Sequence, residues 1–420
     1  MKIAFVTLGC KLNYAETSTY ERQFVKAGLE VVPWKEAADL YLVNTCTVTE
    51  TSNAKSRNEI RKLHRINPEA RIIVTGCYAQ MKPEEVRGIE GVWKVFGSAG
   101  KATLVEDCLS ELGLPVEGEV PKVADSGSVF GAYSSGERTR SFLKVQDGCD
   151  NFCAYCTVPY ARGRSRSVPL CEAVRMAQEI ASQGVREIVI TGVNTGDYGR
   201  GSLAGESFLD LLKALNGVEG IERYRISSIE PNLLTEETID WIASGTKFQP
   251  HFHIPLQTGS DALLSRMGRK YSCAEFASKL EYIRKRFEHP GAPKVFFGLD
   301  VMVGLPGETE ELFETTRSFL EKIRPAFIHI FPYSKRPGTP AAEMEGQVSA
   351  EEKARRVKVL EELCARLHSE FEQAHKGMKL KVLFESSVKG GMMSGYSQNY
   401  IRVSRPADSD LFGKIVEIEY

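Results

Sequence analysis

Three cysteines in one short stretch are the residues whose types and spacing point most clearly to chemistry. Cys149, Cys153 and Cys156 form a C-x3-C-x2-C motif directly after a predicted strand. A structural zinc site uses four protein ligands, and the sequence has no fourth cysteine or histidine close to this motif. Three thiolates on one loop suit a 4Fe–4S cluster that leaves one iron open to bind a substrate. The spacing therefore favours an iron–sulfur site over a zinc site or three buried cysteines.

A second set of cysteines is spread along the N-terminal part of the chain. Cys10, Cys46 and Cys77 each end an apolar, strand-like run, in VTLGC, LVNTC and VTGC. In a parallel sheet such ends lie on one edge, where ligands bind. Three thiolates at that edge predict a second cluster with an open iron; the alternative is three small buried cysteines. The remaining cysteines lie in helical patterns among apolar neighbours and are predicted to be core residues: Cys108, Cys171, Cys273 and Cys364.

The elements that must position the strand-end cysteines alternate between strand and helix over residues 1–111. The patterns predict strands over 2–9, 39–45 and 71–76, and helices over 14–28 and 48–66. This βαβαβ order predicts a parallel sheet with both faces covered. Residues 112–140 are rich in glycine, serine, proline and charge and have no sustained period, which is typical of a linker.

The segment over residues 141–348 repeats the strand–helix rhythm six times. The predicted strands lie over 142–148, 187–194, 223–230, 251–257, 295–306 and 327–334, with helices between them, such as 171–184 and 207–218. Six units are fewer than the eight of a closed barrel, so an open sheet and a partial barrel both fit. A long charged helix is predicted over 349–376. The period-two pattern over 377–420 then predicts a small all-β module, barrel-like because short sheets must protect their edges.

Composition limits the possible classes of protein. The 420 residues are 42% hydrophobic and 26% charged, which is typical of a folded chain of about three domains. The net charge is −1, so an RNA partner would have to be held by local basic patches. No apolar run approaches the roughly 18–20 residues of a spanning helix. The first residues of the chain are predicted to form a buried strand and not a secretory signal. A reducing, cytoplasmic location is therefore expected.

The middle segment resembles the radical S-adenosylmethionine (SAM) enzymes, and the whole chain resembles the methylthiotransferases. The motifs that carry the resemblance are TLGCKLN, NTCTVT, VTGCYAQ, VQDGCDNFCAYCTVPYARGRSRS, TGVNTGDYG, RISSIEP, HIPLQTGSDALLSRMGRKY, DVMVGLPGETEE and YSKRPGTPAA. It implies an α/β fold: an N-terminal parallel-sheet cluster domain, a radical SAM partial (β/α)6 barrel and a small C-terminal all-β TRAM module. TLGCKLN followed by NTCTVTETSNAKSR resembles the branch that acts on N6-threonylcarbamoyladenosine in tRNA.

The resemblance also implies a reaction with two 4Fe–4S clusters and two molecules of SAM. One SAM methylates a sulfur carried by the auxiliary cluster on Cys10, Cys46 and Cys77. The other, bound at the second cluster, is cleaved to a 5′-deoxyadenosyl radical that removes hydrogen from carbon 2 of the adenine, where the methylthio group is transferred. Polar or glycine positions at strand ends are the predicted SAM contacts: Gly192, Asn194, Ser228, Glu230, Gln257, Asp300 and Gly304.

The resemblance implies a tRNA anticodon loop as the substrate, and local basic stretches and aromatic residues of the terminal module are the predicted contacts with it. The predicted RNA-binding residues are Arg162, Arg166, Arg269, Arg336, Tyr400 and Arg402. The other predicted partners are an electron donor such as flavodoxin or ferredoxin and a sulfur source. The chain is predicted to act as a monomer without membrane contact.

Four alternative functions stay open. Two of them lie within the same family and differ in the substrate, which is isopentenyladenosine in tRNA in one case and an aspartate of a ribosomal protein in the other. A two-cluster electron carrier or redox sensor explains the cysteines but not six βα units with polar strand ends. A radical enzyme whose auxiliary cluster only relays electrons explains both, and substrate-dependent methylthiolation would separate it from a methylthiotransferase.

Overall fold

The chain folds into three parts that follow its order: a parallel sheet, a partial barrel and an antiparallel sheet. The structure, a computed structural model, describes residues 1–47, 49–115, 129–136, 139–200 and 205–420. Of the predicted linker over 112–140, residues 116–128 and 137–138 lie outside the described part. The remainder of that stretch contains a short strand at Ala132–Tyr133.

Five strands and five helices build the N-terminal sheet and its cover. The strands are β1 (Lys2–Thr7), β2 (Glu30–Val31), β3 (Leu40–Thr45), β4 (Arg71–Gly76) and β5 (Val92–Phe96), and the helices are α1 (Lys11–Lys26), α2 (Glu50–Ile66), α3 (Cys77–Met81), α4 (Pro83–Arg87) and α5 (Leu104–Glu111). All strands are parallel, in the order β2–β1–β3–β4–β5. Helices cover both faces, so the sheet separates two apolar cores. The three predicted strands are confirmed, whereas the outer strands β2 and β5 were not predicted because they are short and incompletely buried.

The barrel contains six parallel strands. The described residues of this part form nine strands: β6 (Ala132–Tyr133), β7 (Arg140–Lys144), β8 (Gln146–Asp147), β9 (Arg166–Ser167), β10 (Glu187–Thr191), β11 (Arg223–Ile226), β12 (His251–Gln257), β13 (Phe296–Val303) and β14 (Phe327–Pro332). The six barrel strands are β7, β10, β11, β12, β13 and β14, while β8 and β9 pair with each other in a separate sheet. The order is β6–β7–β10–β11 in one sheet and β12–β13–β14 in the next, with β11 beside β12. Strand β6 extends the first edge antiparallel to β7. Of the two predicted alternatives, this order matches the partial barrel.

Eight helices accompany these strands, and they decide which strand face is buried. They are α6 (Val158–Arg162), α7 (Leu170–Ser182), α8 (Phe208–Asn216), α9 (Glu236–Ala243), α10 (Asp261–Arg266), α11 (Cys273–Phe287), α12 (Glu310–Ile323) and α13 (Pro340–Glu343). In β13, Leu299 and Val301 are fully buried in the core that the helices cover. Gly298 and Asp300 alternate with them and therefore face the barrel interior.

The C-terminal part begins with one long helix and ends in an antiparallel sheet. Helix α14 (Ala350–Gln373) is followed by β15 (Lys379–Lys389), β16 (Met392–Ser397), β17 (Arg402–Pro406) and β18 (Ile415–Glu419). The sheet order is β17–β16–β15–β18. The chain turns between β16 and β17, where Tyr400 has a left-handed φ of 65°.

This antiparallel sheet closes the base of the barrel, where the barrel strands begin. Arg223 of β11 donates to the carbonyl oxygen of Lys381 at 2.7 Å, and Arg225 donates to that of Ser397 at 2.7 Å. The ring of Tyr400 lies 5.0 Å from the Arg225 guanidinium. The base of the barrel is thus filled by side chains from two parts of the chain.

The N-terminal sheet is joined to the open edge of the barrel through α1. Thr19 accepts a hydrogen bond of 3.2 Å from the N–H of Tyr133 in β6, and the Arg22 guanidinium lies 3.7 Å from the Tyr133 ring centroid. These contacts hold α1 against β6, and the ring of Tyr14 in its first turn lies 6.0 Å from that of Phe142 in β7. Among the described residues no helix is both long and apolar enough to cross a bilayer.

Candidate functional site

The three strand-end cysteines lie side by side at one edge of the N-terminal sheet. Cys46 follows β3 and Cys77 follows β4 directly, while Cys10 follows β1 after a short turn. A Cβ placed on Gly9 would lie 3.0 Å from the Cβ of Cys46, so the ends of β1 and β3 approach closely. The prediction that these strand ends share one edge is confirmed, and the role of the cysteines as ligands stays a prediction.

Asn13 of α1 ties two of these strand ends together. Its side-chain amide donates to the carbonyl oxygens of Leu8 and Thr45, each at 2.9 Å. Its own oxygen lies 3.5 Å from the sulfur of Cys10 and accepts a hydrogen bond of 2.5 Å from Arg162 of α6. Asn13 therefore fixes the Cys10 turn against β3, and Arg162 brings a positive charge from the barrel to the same edge.

The other three cysteines lie on the loop between β8 and α6. Backbone N–H groups two residues further along donate to the sulfurs of Cys149 and Cys156, at 3.5 and 3.4 Å. Arg269 donates to the sulfur of Cys153 at 3.3 Å. Burial raises the pKa of Cys149 to about 11 and that of Cys156 to about 12. The free thiols therefore keep their protons at neutral pH, and a bound cluster has to displace them.

Glycines directly before two of the cysteines allow close backbone contacts. Gly148 has a φ of 77°, and a Cβ there would lie 1.9 Å from the carbonyl oxygen of Arg164. Gly76, before Cys77, has a φ of 97°, and a Cβ there would lie 2.3 Å from the carbonyl oxygen of Thr45. A side chain at either position would meet both backbone strain and a collision.

The groups around the cysteine loop fit a cluster with a polar ligand beside it. The charges of Asp197 and Glu230 act on Cys149, and Glu230 is paired with Arg269 at 2.6 Å. The side-chain oxygen of Asn194 is buried and has no hydrogen-bond partner among the described residues, while its nitrogen donates to Asp197 at 3.0 Å. Three free thiols and an unused acceptor suit an iron–sulfur cluster and a bound molecule that carries donors.

Two further predicted SAM contacts lie beside the same loop. A Cβ on Gly192 would lie 2.8 Å from the side-chain oxygen of Gln146, and Gln146 donates to the carbonyl oxygen of Gly148 at 2.8 Å. The carbonyl oxygen of Ser228 accepts a hydrogen bond of 3.0 Å from Thr195. Gly192 and Ser228 are thus connected to the start of the cysteine loop through their neighbours.

The predicted SAM contacts from the second half of the barrel have different surroundings. Gln257 ends β12 with a left-handed φ of 67°, which is uncommon for a residue other than glycine. The Nε2 atom of His253 lies 2.9 Å from a carboxylate oxygen of Asp300 in the barrel interior. A Cβ on Gly304 would lie 2.3 Å from the side chain of Lys353 in α14. Gly304 therefore packs closely against α14, and its contact with SAM stays a prediction.

Three of the arginines predicted to contact RNA are buried instead. Arg162 is 3% exposed, Arg336 is 7% exposed, and the side chain of Arg269 is 3% exposed. Arg162, Arg269 and Arg336 donate to Asp147 at 2.9 Å, Glu230 at 2.6 Å and Thr47 at 2.9 Å, respectively. Each of these side chains has a partner inside the fold, so none of the three is a free surface cation. Their contact with RNA stays a prediction.

The other predicted RNA contacts differ in accessibility. Arg166 is half-buried and donates to the carbonyl oxygen of Arg162 at 2.6 Å. The ring of Tyr400 packs against His251 with a centroid distance of 4.4 Å, so it closes the barrel base rather than offering a face to a nucleotide. Arg402 is exposed on β17 and remains available to an RNA chain.

The four cysteines outside both sets do not behave alike. Cys108 and Cys364 are buried and Cys273 is half-buried, as core residues should be. Cys171 is exposed in the first turn of α7, so its prediction as a core residue is wrong. Its neighbours along the helix are apolar, but its own position faces solvent.

A buried network of charges connects the two cysteine sites. Glu16 of α1 is paired with Lys101 at 2.8 Å and with Lys144 of β7 at 2.6 Å. Asp147, just before the cysteine loop, is paired with Lys144 at 2.7 Å and with Arg162 at 2.9 Å. Burial alone would raise the pKa of Glu16, but the surrounding cations outweigh it and lower that pKa to about 2.

The sequence contains one signal for this network that the pattern analysis missed. Glu16 lies four residues from Leu12 and four from Tyr20, both of which are buried on α1. A carboxylate on the apolar face of an amphipathic helix needs a buried partner. That spacing identifies Glu16 as a member of a buried pair, although it does not identify the partners.

Comparison with known proteins agrees with this arrangement. The model of the radical SAM superfamily matches residues 143–320, and the model of the uncharacterized protein family UPF0004 matches residues 2–97. The radical SAM methyltransferase TsrM from Kitasatospora setae has a similar structure, with a TM-score of 0.60 at 18% identity over 81% of this chain and 77% of that one. This likeness shows a shared fold.

Curated relatives match over the full length. The threonylcarbamoyladenosine tRNA methylthiotransferase of Bacillus subtilis is 39% identical, over 99% of this chain and 93% of its own. The protein of the same name from Aquifex aeolicus is 36% identical over 100% of both chains. A tRNA-2-methylthio-N(6)-dimethylallyladenosine synthase from Alkaliphilus oremlandii is 33% identical, over 99% of this chain and 89% of its own.

The barrel with its three-cysteine loop thus defines a radical SAM protein, a class that uses SAM and an iron–sulfur cluster. The second cysteine site and the full-length relatives narrow this assignment. The chain belongs to the methylthiotransferase family of radical SAM enzymes.

Proposed function

We propose that this chain inserts a methylthio group at carbon 2 of N6-threonylcarbamoyladenosine in the anticodon loop of tRNA. The observation that carries the proposal is the full-length similarity to relatives with that named activity, at 39% identity for the one from Bacillus subtilis. The two three-cysteine sites support it, because one can serve radical formation while the other carries sulfur.

In this proposal Cys149, Cys153 and Cys156 hold a 4Fe–4S cluster, and Asn194 and Glu230 bind SAM beside it. When bound, these groups supply the radical chemistry that an unactivated carbon–hydrogen bond requires. The chain's own contribution is position. The loop is held by backbone donors and by the Arg269 contact to Cys153, and that arginine also fixes Glu230.

Cys10, Cys46 and Cys77 hold the auxiliary cluster in the same proposal. Asn13 keeps the turn that carries Cys10 against the end of β3. Cys10 is exposed, whereas the other two are half-buried. The arrangement leaves one side of this site open to a substrate.

The proposal extends to the partners of the reaction. Arg166 and Arg402 contact the tRNA, and the C-terminal sheet acts as a TRAM module. An electron donor such as flavodoxin or ferredoxin supplies reducing equivalents, and an external source supplies sulfur. Because ten free thiols and a tRNA substrate suit a reducing compartment, the chain works in the cytoplasm, as a monomer.

A competition assay tests the substrate. Anaerobically reconstituted protein is given anticodon stem-loops bearing threonylcarbamoyladenosine, isopentenyladenosine or unmodified adenosine, and products are measured by mass spectrometry. We expect methylthiolation of the first. Preference for the isopentenyl substrate would overturn the substrate assignment, and activity on a ribosomal protein alone would overturn the RNA reading. Cys46→Ala should be inactive, with Cys171→Ala, an exposed cysteine outside both sites, as the matched control.

A further inference from the structure

A group of polar side chains lines the barrel interior on its last three strands. His253 of β12, Asp300 of β13 and His329 of β14 offer ligand atoms that all lie within 4.8 Å of one another. The Nε2 atom of His253 lies 2.9 Å from a carboxylate oxygen of Asp300, and the imidazole rings of His253 and His329 stack with a centroid distance of 5.1 Å. None of the three is fully buried, so they line a space that a ligand can enter.

Lys11 reaches the same space from the N-terminal sheet. It is the first residue of α1, directly after Cys10, and its side chain is accessible. The charged and titratable groups that act on its amine are Tyr400, Arg140, Asp300 and Cys10. Within the described part of the chain its amine forms neither an ion pair nor a hydrogen bond; its close contact is with the ring of Phe142, 6.0 Å to the centroid.

The charges of this chamber favour an anion with hydrogen-bond donors over a metal ion. Two histidines and an aspartate resemble a metal-binding set, but the Lys11 charge acts on both Asp300 and His329 and would repel a divalent ion. Asp300 keeps acceptor capacity beyond its bond to His253. The chamber thus offers one unpaired cation and one carboxylate that can accept further hydrogen bonds.

The start of α1 adds to the positive character of the chamber. Among the described residues no side chain caps this helix at Cys10, and the helix is 16 residues long. The partial positive charge at a helix start favours an anion there. The lysine charge and the helix start therefore act in the same direction.

We propose that this chamber is the binding site of the threonylcarbamoyl group, with Lys11 pairing with its carboxylate and Asp300 accepting from its hydroxyl or ureido N–H. The inference rests on the proposed function. In adenine, N6 is separated from carbon 2 only by N1 and C6, so a group that reads the N6 substituent must lie near the site that delivers sulfur. Lys11 meets this requirement because it follows Cys10 in the chain.

The same chamber discriminates against the apolar isopentenyl group. That group would enclose Lys11 and Asp300 without giving either a partner. Polar groups left unpaired in a closed site are a strong source of discrimination. A polar chamber beside the auxiliary site therefore selects for a substituent that carries both charge and donors.

The test uses stem-loops that carry threonylcarbamoyladenosine or its neutral carboxamide, and compares kcat/KM for the two. Wild-type protein should prefer the carboxylate by about 10- to 100-fold, the range expected for one charge-assisted hydrogen bond. In Lys11→Gln this ratio should fall to near 1, and Lys11→Arg should restore most of it. Lys26→Gln, at the exposed far end of the same helix, is the control and should keep the wild-type ratio.

The ratio cancels differences in cluster content between variants, because both substrates are compared on one protein. An unchanged ratio in Lys11→Gln, or a wild-type protein that does not distinguish carboxylate from carboxamide, would overturn the inference. Neither result would affect the proposed function, which fails separately if wild-type protein does not methylthiolate the threonylcarbamoyl stem-loop at all. If Lys11→Gln does not fold, Lys11→Met, which keeps the length of the side chain without its charge, takes its place in the same comparison.

Discussion

The two cysteine sites gather the same number of thiols by different routes. In the barrel, Cys149, Cys153 and Cys156 come from one loop between β8 and α6, held by local N–H donors. In the N-terminal sheet the thiols come from the ends of three strands that lie far apart in sequence. The first site needs a correctly folded loop. The second exists only after three strands have paired, so its stability is that of the sheet.

The two sites nevertheless share one support. The network of Glu16, Lys101, Lys144, Asp147 and Arg162 connects α1 with the residue that precedes the cysteine loop. Arg162 also donates to Asn13, beside Cys10. The two sets of thiols therefore depend on different folding events, whereas the position of one site relative to the other depends on the same buried charges.

The largest expected effect is the separation of the two half-reactions by single cysteine changes. Cys153→Ala should abolish cleavage of SAM to 5′-deoxyadenosine while the N-terminal cluster remains. Cys46→Ala should abolish methylthio transfer while SAM cleavage persists. Iron analysis, Mössbauer spectra and product analysis measure these outcomes.

The matched control for both variants is Cys171→Ala, which removes an exposed thiol outside either site. Wild-type protein should carry about eight irons, four for each cluster. Stoichiometric zinc, or methylthiolation by Cys46→Ala at an appreciable rate, would contradict the division of roles.

The shared support should respond strongly to loss of one carboxylate. Glu16→Gln leaves Lys101 buried without its ion-pair partner, and breaking a buried pair in this way costs about 3–5 kcal/mol. The free energy of unfolding, from chemical denaturation of the metal-free protein, measures the loss. Glu106→Gln, at an exposed position of α5, should stay within about 0.5 kcal/mol of wild type. Equal stabilities for the two variants would show that the network carries no net stability.

Acid should weaken the same support gradually. The pKa of Glu16 is about 2 in the folded chain, against 4.5 for the ordinary carboxyl. The folded-state pKa is lowered, so this stabilisation is complete above about pH 4.5 and is lost as the pH falls towards 2, about 3 kcal/mol in total. Denaturation at a series of pH values measures it. Glu16→Gln should show a shallower slope, since only Asp147 of the two carboxylates remains, and an identical slope would contradict the assignment.

The smallest expected effect comes from the glycines before the cysteines. Gly76→Ala should lower iron content at the N-terminal site alone, and Gly148→Ala at the barrel site alone, each with a loss of about 1–3 kcal/mol of stability. Gly184→Ala, with a φ of 78° but no neighbour within 4 Å of a Cβ, is the control for backbone strain without collision. Loss of both clusters in Gly76→Ala would show that the two sites do not form separately.

The positions of the cysteines were predictable because they depend on local patterns. The barrel cysteines are neighbours in sequence, and β12 lies where the alternation over 251–257 predicted it. Each strand-end cysteine follows an apolar run, and parallel strands bring such ends together. Predicting these features requires only the period of the hydrophobic pattern and the order of the elements along the chain.

The roles of the charged residues were not predictable in the same way. Arg162, Arg269 and Arg336 follow motifs or lie in basic stretches, so they were predicted to bind RNA and not to pair within the protein. In the structure Arg162 meets Glu16 across 146 positions of sequence, and Arg336 meets Thr47 across 289. Local periodicity reports the face of an element, and it contains no information on which distant carboxylate or hydroxyl will meet that face.

The closure of the barrel base by Tyr400 has a consequence for the order of events during synthesis. Residues 377–420 are translated after all six cysteines of the two sites. For a time, the nascent chain therefore displays both sets of thiols around a barrel that is still open at its base. The base of the barrel closes only when Arg225 donates hydrogen bonds to the carbonyl oxygens of Ser397 and Gln398 in the C-terminal antiparallel sheet.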